Sequence, residues 1–214
     1  MLTGTNGYAP YVLGDRKKAL QEAKTLGEQL KKAGAKTLVT TGPESHYTFT
    51  KLYSELGVEL GVKVATLTEL LFANNGAEGV RSKKVFFHDA RAACELGDTM
   101  PEEKVIMPDF FGPEEALGTG AVYDLPREAL KKGGSEFVFL VWSRAMANAM
   151  GNDEAVALTY PALAKKMAAR RLSMIAQTGA DMAVTDSLAT KLYVETLDQS
   201  LLQGLSVRYL GDLA

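Results

Sequence analysis

The sequence predicts an α/β protein made of two related parallel-sheet units that face each other across a cleft. Three observations carry this fold class. Short apolar runs of strand character alternate with longer amphipathic stretches, and strands separated by helices of that length favour parallel pairing. The order helix, strand, turn, helix, strand also occurs twice. Residues 33–40 (AGAKTLVT) match 178–185 (TGADMAVT) at an offset of 145, and the preceding helices align Ala19 with Ala164 and Ala23 with Ala168. Residues 62–71 (VKVATLTELL) match 205–214 (LSVRYLGDLA) at an offset of 143, pairing Val64 with Val207, Leu67 with Leu210 and Leu70 with Leu213. The division expected is 1–83 for the first unit and 84–214 for the second. A pocket between duplicated halves is the default ligand site.

Asp15 to Lys32 places Ala19, Ala23, Leu26 and Leu30 at three- to four-residue spacing among charged neighbours, an amphipathic helix stopped at Gly34. Thr37–Thr41 reads as a short strand, Gly42-Pro43 as a turn, and Ser45–Leu56 as a second helix. Val62–Leu67 alternates like a strand and runs into a helical stretch, Thr68–Asn74. Lys84–His88 and Phe137–Trp142 are apolar enough to be buried strands. The segment from Gly97 to Ala121 holds three of the seven prolines and four glycines, and reads as a long connection inserted in the second unit.

With 214 residues, 46% hydrophobic and 23% charged, the chain has the composition of a soluble globular protein. Twenty-four basic against 26 acidic side chains give a net charge of −2, so there is no cationic field for nucleic acid or an anionic membrane surface. No uncharged stretch approaches the roughly 18 residues of a bilayer span, and the N-terminus has no leader pattern. A cytoplasmic location is expected, without membrane insertion. One cysteine, Cys94, and two histidines, His46 and His88, exclude a disulfide scaffold and leave no spacing that suggests a metal site.

Two turns fall in equivalent places, Gly42-Pro43-Glu44-Ser45 and Ser187-Leu188-Ala189-Thr190, each between a strand end and a helix start. Helix N-termini there can hold an anion, although Ser and Thr at such places also serve as caps. His88-Asp89 ends a strand, so an imidazole and a carboxylate are available for acid/base work. Neighbouring strand residues point to opposite faces, however, and a buried structural histidine is the competing reading. Cys94 sits in ARAACELG, a helical stretch where a lone thiol reads as a small core residue, with Arg91 close enough to lower its pKa. No phosphate-binding motif is present.

The text LKKAGAKTLVTTGPESHYTFTKLYSELGVELGVKVATLTELL resembles the cysteine-rich CCG domain family of heterodisulfide reductase catalytic subunits and related glycerol-3-phosphate dehydrogenase and glycolate oxidase subunits. That family reads TTCPECY where this chain has TTGPESHY. FFHDARA is similar to the family's HDPCR, VYDLPREALKK to its VYDAPRE, and TGADMAVTDSLAT to its TGAD-VTACPFC. The likeness runs along nearly the whole chain in order, and the family carries two such domains.

The resemblance implies iron–sulfur clusters held by cysteine thiolates. Here every implied ligand position carries something else. Thr5-Asn6-Gly7 stands at Cys-Cys-Gly, Gly42 and Ser45 at the first Cys-x-x-Cys, and Ser187 and Thr190 at the second. The second Cys-Cys-Gly falls on Met150-Gly151-Asn152 at an offset of 145, or nearby with a short deletion. The first Cys-Cys-Gly position falls at residues 5–7, so the resemblance implies a first unit, 1–83, expected to be truncated before the family's opening strand and helix. The expectation is therefore a cluster-free relative with no cofactor, Thr5, Asn6, Gly42, Ser45, Ser187 and Thr190 lining a vacated site. Such a protein serves as a scaffold, as a subunit of a redox complex, or in self-association. Two alternatives stay open: a reused cleft that binds a small anion with His88 and Asp89 as acid/base residues, and family-type electron transfer with ligands supplied by a partner.

Overall fold

The computed structural model describes residues 5–98 and 117–214. Most of the Gly- and Pro-rich connection at 97–121 lies outside the described residues. The chain opens with a short helix α1 (Tyr8–Val12) and then α2 (Arg16–Lys32), which starts where the Asp15 carboxylate accepts the Lys18 N–H at 2.9 Å. The buried face of α2 is Ala19, Ala23 and Leu30, as the spacing predicts. Strand β1 (Thr37–Thr40) follows, then α3 (Pro43–Tyr47), which continues through a π-helical turn into α4 (Tyr53–Glu55). Strand β2 (Lys63–Thr66) runs into α5 (Leu67–Phe72) through a capping box between Thr66 and Glu69.

The second half contains β3 (Lys84–Phe87), α6 (Ala121–Lys132), β4 (Glu136–Phe137), α7 (Val156–Thr159), α8 (Pro161–Ala176), β5 (Met182–Thr185), α9 (Leu188–Glu195) and β6 (Ser206–Tyr209). All strand pairing is parallel, in two sheets, β1-β2 and β4-β3-β5-β6. The fold is thus α/β, and no described helix is long and apolar enough to cross a membrane.

Alternation along β3 and β5 sends side chains to both faces of the larger sheet. Val85, Phe87 and Val184 pack with Phe72, Leu130 and Leu210 on one side. Phe86 and Ala183 pack with Ala168, Leu172 and Ile175 on the other. Covering both faces is the usual condition of a parallel sheet. Residues from the first half join that core: the Ala77 N–H donates to Ala129 O and the Glu78 N–H to Leu213 O.

Two glycines hold helices in close approach. Gly7 has φ 82° and a Cβ there would lie 2.8 Å from Ala19 O; Gly151 has φ 101° and a Cβ would lie 2.3 Å from Ala164 O. Each position needs both the left-handed backbone and the missing side chain.

Two expectations are corrected. The apolar run 137–142 is not a six-residue strand, because β4 ends at Phe137 and only the Val138 N–H continues the ladder, to Val85 O. β3 itself ends at Phe87, and the next N–H, that of His88, bonds Val184 O of β5 on the opposite side from β4. The stretch around Cys94 is helical as expected, a 3-10 helix over Arg91–Glu95. The helix placed at Ser45 begins two residues earlier, with Pro43 in its first turn, where its lack of an N–H costs nothing.

Candidate functional site

The turn after β1 and the turn after β5 meet. The Leu188 N–H donates to Thr41 O at 3.3 Å, and the Tyr209 hydroxyl donates to the same carbonyl at 2.9 Å. A Cβ on Gly42 would stand 3.3 Å from Ser187 Cα and 2.8 Å from Glu44 Oε2, so glycine is what lets the turns close. The Ser187 hydroxyl donates to Glu44 Oε1 at 2.5 Å and accepts the Thr190 N–H at 3.1 Å. Thr190 Oγ1 in turn shares hydrogen bonds with the Asn152 side-chain amide, at 3.3 and 3.4 Å. Ser45 is half-buried on α3.

Four of the six predicted positions, Gly42, Ser45, Ser187 and Thr190, therefore belong to these two adjoining turns. Thr5 and Asn6 are engaged elsewhere. Thr5 donates to Glu22, Asn6 Oδ1 accepts the Tyr8 N–H, and Asn6 O accepts the Tyr53 hydroxyl at 2.9 Å. Among the described residues no hydrogen bond ties either of them to the turns.

Iron–sulfur ligation does not fit this donor set. Hydroxyls, an amide and a glycine occupy the implied positions. Two of the N–H groups at the start of α9, on Leu188 and Thr190, are already used by Thr41 and Ser187. Among the described residues no group of three or more His, Cys, Asp or Glu is arranged around a metal position. Cys94 is buried on a 3-10 helix that packs against α3, its thiol donating to Arg144 O at 3.4 Å, and burial pushes that thiol up against the opposing pull of Arg91.

Below the turns lies a charged interior. Arg127 on α6 grips Asp89 with two bonds, of 2.8 and 2.7 Å, and the Arg144 N–H adds a third at 2.7 Å. Burial alone would raise Asp89, yet these donors hold it below the ordinary aspartate value. Asp186, just past β5, has no such support. Its Oδ1 has no hydrogen-bond partner among the described residues, and burial, with the charges of Asp89 and Glu44 nearby, lifts its carboxyl to about 8. Glu44 is raised too, burial outweighing the Ser187 bond. A cavity of about 190 Å³ opens here, lined by Thr40, Gly42, His46, Thr66, Glu69 and Asp186. Burial lowers His46, in its wall, against the opposing charge of Glu69.

His88 and Asp89 part company at the strand end, as strand geometry requires. Asp89 turns to Arg127, while His88 turns to α8, where its Nδ1 accepts the Arg171 Nε–H at 3.4 Å. Burial, together with the Arg171 charge, brings His88 down to about 3. The imidazole is therefore neutral across the physiological range, has no carboxylate partner, and is only 1% exposed. That is the setting of a structural histidine rather than a proton shuttle.

The sequence reading missed Glu44, Arg127, Arg171 and Asp186. Two of these had a legible signal: Arg127 lies four residues after Tyr123 and three before Leu130, and Arg171 three after Ala168 and four before Ile175, so both arginines fall on apolar helix faces. No protein-family model matches the chain, and no curated protein matches it.

Proposed function

We propose that this chain is a cluster-free relative of the CCG-type iron–sulfur subunits, acting as a scaffold or partner-binding protein rather than as an electron carrier. The observation that carries this reading is the closed state of the two turns: Gly42, Ser187, Glu44 and Thr190 satisfy one another where thiolates and a cluster would have to sit.

Relatedness of the two halves is supported by register and by close contacts. The pairs Thr37 with Lys63 and Met182 with Ser206 are separated by the same offsets that align the repeats in the sequence. Gly7 against Ala19 and Gly151 against Ala164 make the same backbone approach. They are 144 residues apart, which favours the one-residue deletion and puts the second Cys-Cys-Gly position at Ala149-Met150-Gly151. On this reading the meeting of the two turns is the cleft between duplicated units.

The partner-binding part draws support from Leu158, Tyr160 and Leu163, which are 72%, 66% and 51% exposed on α7 and the start of α8. Large apolar side chains held together at a surface are a feature of interaction sites. The test is sedimentation of the wild type beside a Leu158→Lys/Leu163→Lys variant. Self-association that the variant abolishes supports the reading. A wild type that stays monomeric and captures no redox subunit removes the partner-binding part. The acid/base alternative is disfavoured by the burial of His88, and anion binding at the second turn by the prior use of the Leu188 and Thr190 N–H groups.

A further inference from the structure

We propose that a cavity on the far side of α8, bounded by Arg170, Arg171 and Trp142, binds a small organic carboxylate with a flat apolar body. The cavity measures about 240 Å³ and is lined by Trp142, Asn148, Met167, Arg170, Arg171 and Met174. Its described lining holds two guanidinium groups and no carboxylate.

Arg171 is what makes this a built site. The side chain is only 1% exposed, and its Nε and Nη2 donate to His88 Nδ1 and, at 2.7 Å, to Trp142 O. Its Nη1 has no hydrogen-bond partner among the described residues, and no described carboxylate pairs with it. Asp89 is committed to Arg127, and Asp153 accepts the backbone N–H groups of Arg91, Met150 and Gly151. The Phe86 ring, 5.1 Å from the guanidinium carbon, supplies the other face. Burial brings the guanidinium down to about 10, so it remains a cation at neutral pH.

A buried cation without a counter-ion is costly, and folded proteins rarely keep one without a use for it. The cavity beside it offers the missing anion a place. Trp142 is 40% exposed, and Met167 and Met174 are soft side chains suited to an aromatic ring. Arg170, exposed at the rim, adds a second positive charge. With the Nε N–H and one N–H of Nη2 already occupied, Nη1 is the unclaimed nitrogen of Arg171, and beside the apolar remainder of the lining it suits a carboxylate on a flat body better than a phosphate that demands donors on every side.

Trp142 is the single tryptophan of the chain, so its fluorescence reports on this cavity directly. The experiment is titration of the full chain with benzoate, benzyl alcohol and inorganic phosphate. Benzoate is expected to give a saturable change, with a Kd between about 0.01 and 1 mM as a small ligand permits. Benzyl alcohol is expected to bind at least about tenfold more weakly for want of the charge. Arg171→Met is expected to lose benzoate binding, and Arg170→Gln, a surface change that leaves folding alone, to weaken it by roughly threefold or more. Should Arg171→Met fail to fold, Arg170→Gln and the comparison of benzoate with benzyl alcohol decide the matter. No saturable response to benzoate, equal binding of benzyl alcohol, phosphate competing as strongly as benzoate, or benzoate affinity unchanged in Arg170→Gln would each overturn the proposal.

Discussion

The Ser187 hydroxyl reaches Glu44 Oε1 across 143 residues of sequence, at 2.5 Å, while the same oxygen caps α9 by accepting the Thr190 N–H. One side chain thus closes the contact between the two strand-end turns and starts a helix. Ser187→Ala removes both bonds and leaves a buried carboxyl without its donor. The expected cost is about 2–3 kcal/mol, combining a lost cap with an unsatisfied buried group. Urea denaturation measures it, and a loss below about 0.5 kcal/mol would mean that the turns are not held together in this way.

Asp186 sets the expected pH dependence of stability. Its ordinary value is 3.8 and it stands at about 8 in the fold, so between those values the native state keeps a proton that the unfolded chain has released. More protons on the native state means that stability falls as pH rises through that window, by at most about 1.4 kcal/mol per pH unit. Glu44 is raised as well and acts in the same direction. His88 acts oppositely: with its value lowered from 6.5 to about 3, the unfolded chain protonates first, and stability rises with pH across that interval. Between pH 6.5 and 8 the Asp186 effect therefore stands clear of His88. The groups around Asp186 are Asp89, Glu44, Arg127 and Tyr209. Denaturation at these two pH values should show the wild type losing stability and Asp186→Asn holding level; parallel slopes would remove Asp186 as the cause.

Asp89 and Arg127 form a buried ion pair, 1% and 2% exposed, with two hydrogen bonds. Removing one partner strands the other charge, and Arg127→Met is expected to cost about 3–5 kcal/mol. Replacing both, by Asp89→Asn with Arg127→Met, should recover much of that loss. A double variant as unstable as the sum of the singles would show that the pair is not acting as a unit.

His88 is expected to stay neutral. Its imidazole carbon-bound proton resonances should not move between pH 5 and 8, whereas a titration centred near 6.5 would restore it as an acid/base candidate.

Much of the fold was legible because local rules and tertiary needs agree. The Ala19, Ala23 and Leu30 stripe, the Gly42-Pro43 turn and the strands at 37–40, 63–66, 84–87 and 182–185 all follow from periodicity and turn chemistry. Phe137–Trp142 misled because an apolar run says nothing about whether a neighbouring strand is present to pair with it. The site was legible at Gly42 and Ser187, which lie where strands end, but not in its charges. Which carboxylate is gripped, as Asp89 is, and which is left alone, as Asp186 is, depends on Arg127 of α6 and the Arg144 N–H, which approach only in three dimensions.

The most direct test of the cluster-free reading is iron and acid-labile sulfide analysis, with a visible absorption spectrum, on protein purified without oxygen and again after iron–sulfur reconstitution. The account predicts a colourless, folded protein with iron and sulfide far below stoichiometric in both states. Stoichiometric iron and sulfide with charge-transfer absorption in the visible would contradict it.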